Sequence, residues 1–505
     1  MPMREPFTLA EVQSHAKTAN VVPLVFEVFA GDESPVAIFE KVASQIPGSF
    51  LLESAEHGVW SRYSFIGVKA RGFLAKKNGD VFWQSPSFET PLPDGSDISN
   101  QSGLQALETI RSSWRSVEIE GLPPLTSGLV GLLGWSMITE VEPGIQVAAG
   151  EFPEMLFAMF KEAVVVDHHT GTLLVVSNIF IDDSSDVSAL YAEGIDRLRR
   201  LTLELQRSHQ PYLAQSEQPS ASRPTANFTQ ATFTGMVEKA KKYVERGDVF
   251  QVVLSQRFDY STDSDALSIY RVLRAMNPSP YMYLLNFLDA DRPFAVVGSS
   301  PEALVKISNN HAVTHPIAGS RPRGNDWDED AALELELTGD EKERSEHLML
   351  VDLARNDLLK VCEPSSISVT EFMQVHKFSH IQHLVSTVEG DLRTSVSPVD
   401  VFRATFPAGT LSGAPKPRAL EIISELESDP RGIYGGVVGY FDFVGNADLA
   451  IAIRTLVLAN GVASVQAGAG IVLDSDPMSE YNETVNKASA PGRAVQSADS
   501  LKKIL

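Results

Sequence analysis

Two sets of carboxylates stand where helical spacing would aim them at a common ligand. Residues 466–488 read QAGAGIVLDSDPMSEYNETVNKA. Asp476-Pro477 pairs an N-cap residue with proline at the first helical position, so a helix is expected to begin there. On it Glu480, Glu483 and Lys487 fall at i, i+3 and i+7 and share a face, with Met478, Tyr481, Val485 and Ala488 expected on an opposite, apolar face. Backbone amides at Gly468, Ala469 and Gly470 beside paired carboxylates suit an anion together with a divalent cation. A solvated acidic face is the plain alternative. A second helix is expected over residues 340–361, entered through the capping-box pattern Thr338-x-x-Glu341. There Glu346 shares a stripe with Leu350 and Leu353, and Glu343 lies beside Ala354. A carboxylate on a core-facing stripe is costly unless it is paired or metal-bound. Two readings follow: a ligand site, or an ion pair with Arg344 or Arg355.

Other stretches could complete such a site. Residues 449–458 (LAIAIRTLVL) read as one buried strand with a single charge, and alternation puts Arg454 on the face of the small Ala450 and Ala452. Space beside a buried guanidinium suits a carboxylate ligand held bidentately. A structural salt bridge to Glu346 or Asp442 is the other reading. The loop PAGTLSGAPK (407–416) is Gly-rich but lacks the Gly-Lys-Ser/Thr of a phosphate-binding loop, and no G-x-G-x-x-G occurs, so nucleotide binding is unsupported. HPIAGSRPRG (315–324) reads as a cationic surface turn. His383, in an expected strand over 381–388, reads as a core histidine.

The elements that must position these residues are mixed. Short β-like runs (21–29, 82–83, 163–181) and helices (35–45, 103–113, 188–206) fill the first part of the chain. Residues 206–227, rich in Pro, Ser and Gln, read as a linker or surface excursion between an N-terminal domain (1–205) and a catalytic domain (228–505). Beyond it a helix (229–245) and a strand (249–255) begin an irregular alternation that indicates α+β. Gly128-Leu-Val-Gly131 and Gly436-Val-Val-Gly439 echo one another, either as paired sheet segments or by chance. The formal charge of −23 disfavours nucleic acid and anionic membrane as partners. One cysteine, Cys362, excludes an internal disulfide framework. No apolar run is long enough to span a bilayer, and a cytoplasmic setting is the simplest expectation.

In this order the motifs PIAGSRPRG, EKERSEHLMLVDLARNDL, IQHLVS, FPAGTLSGAPK, IYGGVVGY, AIRT, QAGAGIVLDSDP and EYNETVNKA closely resemble those of the anthranilate synthase component I family of chorismate-utilising enzymes. FLLES (50–54), SRYSFIG (61–67) and NPSPYMYLL (277–285) resemble that family's tryptophan feedback site. The resemblance implies a two-layer, nearly orthogonal antiparallel β-sandwich with surrounding helices. It implies Mg²⁺ held by Glu346 and Glu483 with Glu343 and Glu480 in support. Substrate carboxylates would be held by Tyr434, Arg454, Gly319, Ser320 and the amides of Gly468, Ala469 and Gly470. Glu302 would be the general acid for the departing 4-hydroxyl, His383 and Thr410 would line the reacting ring, and Lys487 would orient the acidic cluster. Tryptophan would be bound by Glu53, Ser54, Pro280, Tyr281 and Met282.

Two positions separate the activities within the family. Isochorismate and salicylate synthases carry a water-activating lysine where this chain has Gln251, and aminodeoxychorismate synthases carry a lysine where it has Ala318. Their absence points to direct attack of ammonia at ring carbon 2 of chorismate, followed by pyruvate loss to anthranilate. Ser320 departs from the family's commoner threonine and keeps the hydroxyl. Cys362 reads as a small buried hydrophobe, so the resemblance implies a separate glutamine amidotransferase subunit, anthranilate synthase component II, in a heterotetramer.

Overall fold

The computed structural model describes residues 3–30, 33–54, 62–208, 212–216, 223–377 and 381–503. Among them 21 strands join one hydrogen-bonded network, and its strand pairs are antiparallel. Period-two alternation divides each strand between two cores. In Tyr281–Asp289, for example, Met282 and Leu284 pack beneath helices while Tyr283, Leu285 and Phe287 enter a second core. That second core is built almost wholly of strand residues, among them Phe50, Val130, Val165, Val296, Val438 and Ala450. It is the contact between two sheet layers. Helices cover the outer faces: Phe39, Leu201, Tyr270 and Val495 on one side, and Leu107, Phe233, Val351, Phe402 and Ile423 on the other. The expected α+β class is the class observed.

Strands from both ends of the chain are interleaved. We label the elements that carry the site: β1 (Phe50–Glu53), β2 (Gly128–Leu133), β3 (Gln251–Ser261), β4 (Tyr281–Asp289), β5 (Ile317–Pro322), β6 (Ile381–Asp391), β7 (Val437–Asp442), β8 (Ala447–Ile451), β9 (Thr455–Ala459), β10 (Val462–Ile471), α1 (Ala266–Met276), α2 (Glu341–Leu359) and α3 (Pro477–Asp499). β1 pairs with β4, placing Glu53 opposite Met282. β2 pairs with β7, and Gly131 lies directly across from Gly439, so the two glycine echoes are paired sheet segments. A Cβ at Gly131 would sit 2.0 Å from the carbonyl oxygen of Leu156, and one at Gly439 would sit 2.0 Å from that of Asp448. Only glycine allows the backbones to approach this closely.

Several expectations change in detail. Residues 163–181 form the arms of a hairpin, Met155–Asp167 and Thr172–Phe180, turned at Gly171 with φ +68°. Residues 449–458 are not one strand: β8 ends at Ile451, β9 begins at Thr455, and Arg454 sits in the break at φ +48°. Within 206–227 the described residues add two short strands: Ala214–Ser216 pairs with Leu501–Lys503, and Thr225–Ala226 pairs antiparallel with β3 at Phe258 and Asp259. The rest of that segment (209–211 and 217–222), and Ser61 of the SRYSFIG motif, lie outside the described residues.

The interleaving predicts one cooperative unit. Gly131→Val should lower stability by about 3 kcal/mol through overpacking and shift a single calorimetric transition as a whole. Two resolved transitions, with only one moved, would contradict this.

Candidate active site

α2 is capped by Asp340, whose side chain accepts from the amides of Lys342 and Glu343 at 3.0 and 3.2 Å. The expected cap, Thr338, instead closes the preceding helix Trp327–Gly339, bonding back to the Glu334 carbonyl. A carboxylate one residue from the helix is the better acceptor at its positive end. Buried His347 bonds to Ser386 Oγ on β6 at 2.6 Å and anchors the helix to the sheet. Glu343 and Glu346 are thereby half-buried toward a cleft. Neither Arg344 nor Arg355 pairs with Glu346: Arg344 donates to the Thr338 carbonyl and Arg355 lies against Asp352. Glu346 accepts from Gln251 Nε2 at 3.2 Å, and that amide fills the space left by the missing side chain of Gly470.

Opposite stands α3, capped by Asp476 through the amide of Ser479. Its packing stripe is Tyr481, Thr484, Ala488 and Val495. The expected apolar face is corrected here: Met478 and Val485 are 40% and 37% exposed. At 100° per residue the buried stripe lies next to the acidic one, not across from it. Glu480 and Glu483 are half-buried at the cleft. Lys487 pairs with Glu483 at 2.6 Å and donates to the Gly468 carbonyl at 3.2 Å.

The carboxylates bear the mark of like charges brought together. Burial and then the neighbouring Glu346 push the Glu343 carboxyl up, while Arg321, at 3.4 Å, opposes the shift. Glu480 is pushed up by burial, the Ser475 hydrogen bond opposes this, and Glu483 adds to it; Lys342 of α2 acts on Glu480 as a weaker opposing charge. Among the described residues no three His, Cys, Asp or Glu side chains converge to hold a metal unaided. Mg²⁺ commonly takes one or two carboxylates and completes its shell with water and substrate oxygens. Two half-buried, mutually repelling carboxylate pairs fit that requirement.

The floor of the cleft carries the remaining groups. Glu302, in the turn after Arg292–Ser300, accepts from Thr410 Oγ1 at 3.2 Å. Burial pushes its carboxyl from the ordinary 4.5 up to about 7, with Thr410, Lys487 and Arg454 pulling the other way. Arg454 is half-buried. Burial lowers its pKa and Glu302 partly restores it. Its side chain has no hydrogen bond or ion pair among the described residues, so the salt bridges considered to Glu346 and Asp442 are not formed. The HPIAGSRPRG stretch is corrected from a surface turn to strand: β5 pairs with β6, with a bulge at Gly319 (φ +71°). A Cβ there would meet Glu343 Oε2 at 3.1 Å. Across the pair from exposed Ser320 lies His383. Its Nδ1 donates to the Gly319 carbonyl at 3.1 Å, and burial lowers its pKa to about 4. A carbonyl can only accept, so the neutral ring carries its proton on Nδ1 and its lone pair on Nε2.

Tyr434 is buried with its hydroxyl in the space left by Gly468. β10 has β9 alongside only as far as Val465. Past that point it pairs with β3 on one side, and the other edge, including residues 468–470, is open where the chain breaks at Arg454. One supporting feature was missed in the sequence. Arg431 and Glu427 form a fully buried pair at 2.7 Å. Arg431 also donates to the carbonyls of Leu411 and Val253 and lies under the Trp135 ring. Their i, i+4 spacing was visible, but Pro430 removes the helix that would have given it meaning.

The second group of motif residues also meets. Glu53 is buried and accepts from Tyr270 at 2.6 Å and from Arg274 at 3.0 Å, both on α1. Beside it are Met282 on β4 and Ser54 at the end of β1. Tyr281, after Pro280, donates to Asp448 at 3.0 Å and lies opposite Ser300, two residues before Glu302.

Known proteins share this arrangement. The chorismate binding enzyme family matches residues 50–493. Anthranilate synthase component 1 of Arthrobacter globiformis is 46% identical over 510 residues, covering 98% of this chain and 94% of that protein. The protein of the same name from Mycolicibacterium smegmatis is 44% identical over 506 residues, covering 99% and 95%. The crystal structure of anthranilate synthase component I from Streptococcus pneumoniae superposes with a TM-score of 0.71 at 33% identity, covering 92% of this chain and 98% of that one. MenF, the menaquinone-specific isochorismate synthase of Escherichia coli, has the same fold, with a TM-score of 0.69 at 17% identity, covering 96% and 98%.

The raised Glu302 carboxyl has a consequence for stability. The folded chain holds this proton between pH 4.5 and about 7 while the unfolded chain releases it, so stability falls as pH rises through that window. Glu302→Gln should therefore raise the melting temperature at pH 8, by an amount worth up to about 3 kcal/mol, and leave it unchanged at pH 4.5. An equal shift at both pH values would exclude the assignment.

Proposed function

The chain belongs to the anthranilate synthase component 1 family of chorismate-utilising enzymes, and from that premise we propose that it aminates chorismate at ring carbon 2 with ammonia and then expels pyruvate to give anthranilate. One observation carries the reading. A half-buried guanidinium without a partner, Arg454, faces a carboxyl held near neutrality, Glu302. The first suits a substrate carboxylate and the second suits a general acid.

Each side chain has a defined part. Arg454, the Tyr434 hydroxyl, Ser320 and the amides at Gly319 and along 468–470 hold the two carboxylates of chorismate. Glu346 and Glu483, with Glu343 and Glu480 in support, would hold Mg²⁺, which would supply neutralising charge for a substrate carboxylate. Ammonia forms the carbon–nitrogen bond at carbon 2 as the carbon–oxygen bond at carbon 4 breaks. Glu302 gives its proton to the departing oxygen, which leaves as water, and Thr410 holds the acid in place. His383, a neutral imidazole with its pKa lowered by burial to about 4, is the group proposed to take the carbon 2 proton. The enolpyruvyl group then leaves as pyruvate and the ring becomes aromatic. Lys487 steadies Glu483 through their ion pair.

Ammonia needs a source. Cys362 is buried and its thiol is pushed up to about 11, which suits packing and not glutamine hydrolysis. A glutamine amidotransferase subunit, component II, fills that role in the proposed heterotetramer. No described helix is long and apolar enough to cross a membrane, and a cytoplasmic enzyme accords with the single reduced cysteine. Feedback by tryptophan at Glu53, Ser54, Pro280, Tyr281 and Met282 is supported by the pairing of β1 with β4, which sets Glu53 opposite Met282, and by the neighbouring strand Arg292–Ser300, which pairs with Tyr281 and leads within two residues to Glu302.

With chorismate, Mg²⁺ and an ammonium salt at alkaline pH, the purified chain should generate anthranilate fluorescence. Isochorismate, or no product, would overturn the proposal. Glu346→Gln and Glu483→Gln should each abolish Mg²⁺-dependent turnover, and Glu302→Gln should lower kcat by roughly 10²–10⁴-fold. Ser54→Arg and Met282→Thr should each weaken inhibition by tryptophan while keeping the uninhibited rate. Unchanged inhibition curves in both would remove the feedback site.

A further inference from the structure

Arg454 can serve a substrate only while its backbone keeps a conformation that the residue itself disfavours. At φ +48° the Cβ of an L-residue crowds the following carbonyl oxygen. The extended alternative is close at hand, since β8 and β9 flank the turn. Two carbonyls border it, and each is held by a buried residue. That of Arg454 accepts from the amide of Ser299 at 3.2 Å. That of Ile453 accepts from Thr455 Oγ1 at 2.8 Å. Thr455 Oγ1 in turn lies 2.6 Å from the hydroxyl of buried Tyr283. Proton counting gives the direction of this last bond. A carbonyl can only accept, so the single threonine proton points to Ile453 and Tyr283 is the donor. Burial pushes the tyrosine pKa up, against the pull of the Thr455 hydrogen bond, so that proton is retained. Tyr283 reaches Thr455 across an intervening strand: it pairs with Gly298 of the strand Arg292–Ser300, and Gly298 pairs with Thr455 on β9. A Cβ at Gly298 would stand 2.2 Å from the tyrosine ring and 2.6 Å from its oxygen, so the ring passes through the gap that this glycine leaves. In the next row Ser299 is fixed by Ser279 Oγ and Asn277 Nδ2, each at 2.9 Å.

We propose that Thr455, with Tyr283 behind it, is a positioning residue for chorismate: the two hydroxyls clamp the left-handed turn that presents Arg454 to a substrate carboxylate. The inference rests on the carboxylate-binding role given to Arg454 above. Without the Thr455 hydroxyl the Ile453 carbonyl loses a donor and the Tyr283 hydroxyl loses its acceptor, and in buried surroundings both losses are costly. The balance at Arg454 then moves from the left-handed form toward the extended one, in which β8 and β9 run together and the guanidinium points elsewhere. Substrate that needs the left-handed form binds more weakly in proportion to the fraction of chains that keep it, so a fall of that fraction to about one tenth raises the apparent Kd about tenfold. Serine at 455 supplies the same proton and the same acceptor, and so preserves the clamp.

The test measures chorismate affinity by titration calorimetry on the full-length chain, with Mg²⁺ and without ammonium, so that it does not depend on which product forms. Thr455→Val, which keeps the side-chain shape, should raise Kd about tenfold, Thr455→Ser should stay within about twofold of the parent, and Tyr283→Phe should fall between them, at about threefold or more. With ammonium and chorismate both saturating, kcat of Thr455→Val should stay within about threefold of the parent, because the lost contact is made equally before and during the reaction. In an Arg454→Gln background Thr455→Val should add less than about twofold, since no guanidinium is left to aim. A Thr455→Val Kd within about twofold of the parent, a serine variant as weak as the valine one, or full additivity with Arg454→Gln would overturn the clamp. If Thr455→Val fails to fold, Tyr283→Phe decides, and a Kd equal to the parent's would overturn it. Arg454→Gln separates the two proposals: if it binds chorismate as the parent does, the carboxylate assignment fails first; if it binds weakly while the Thr455 variants are normal, the clamp alone fails.

Discussion

The break in the sheet at Arg454 is the constraint on which the rest of the site depends. β8 and β9 would otherwise run on as one strand, and the guanidinium would lie flat in a ladder. The residue adopts φ +48°, a conformation an L-residue occupies only when its surroundings force it. Three consequences follow from that one turn. The charge is aimed into the cleft beside Glu302. The edge of β10 beyond Val465 loses its second neighbour and exposes backbone polar groups. Its own carbonyl still accepts from Ser299, which ties the turn to the strand that leads into Glu302.

Electrostatics explains why so acidic a chain can hold a dianion. With a net charge of −23 the overall field repels chorismate, so attraction must be local and desolvated, where each charge counts for more. Arg454 supplies one such charge. The carboxylate pairs on α2 and α3 bring like charges together: Glu343 and Glu480 are pushed up, first by burial and then with a contribution from the neighbouring carboxylate. Burial shifts the two groups in opposite directions: it pushes the Glu302 carboxyl up to about 7 and lowers the His383 imidazole to about 4. One apolar environment thus raises the pKa of a carboxyl and lowers that of an imidazole, the shifts that would suit the proposed acid and base.

Much of the site was legible because it is written in local patterns. The Asp476-Pro477 cap fixed the start of α3 to the residue, and i, i+3, i+7 spacing put Glu480, Glu483 and Lys487 together. Where a pattern had a competing physical explanation, it misled. Apolar alternation in 449–458 concealed the break at Arg454, since the left-handed turn there is imposed by neighbours and not by the residue. Thr338 and Asp340 are both good caps, and the contest was decided by where the preceding helix ends. The stretch from His315 to Gly324 has turn-like composition, yet it is a strand because β6 offers it a ladder.

The sequence by itself determined which residues carry charge, which helices can present them, and the family to which the whole belongs, because capping, periodicity and motif order are properties of short segments. Tertiary structure alone decided that Glu346 meets Gln251 and Gly470, that β1 lies against β4, and that Gly131 faces Gly439. It also decided that Arg431 and Glu427 pair beneath Tyr434. These are contacts between segments tens to hundreds of residues apart. They arise when two sheet layers and their helices close on common cores, and the pKa shifts that suit the groups to chemistry exist only once that closure has removed the water.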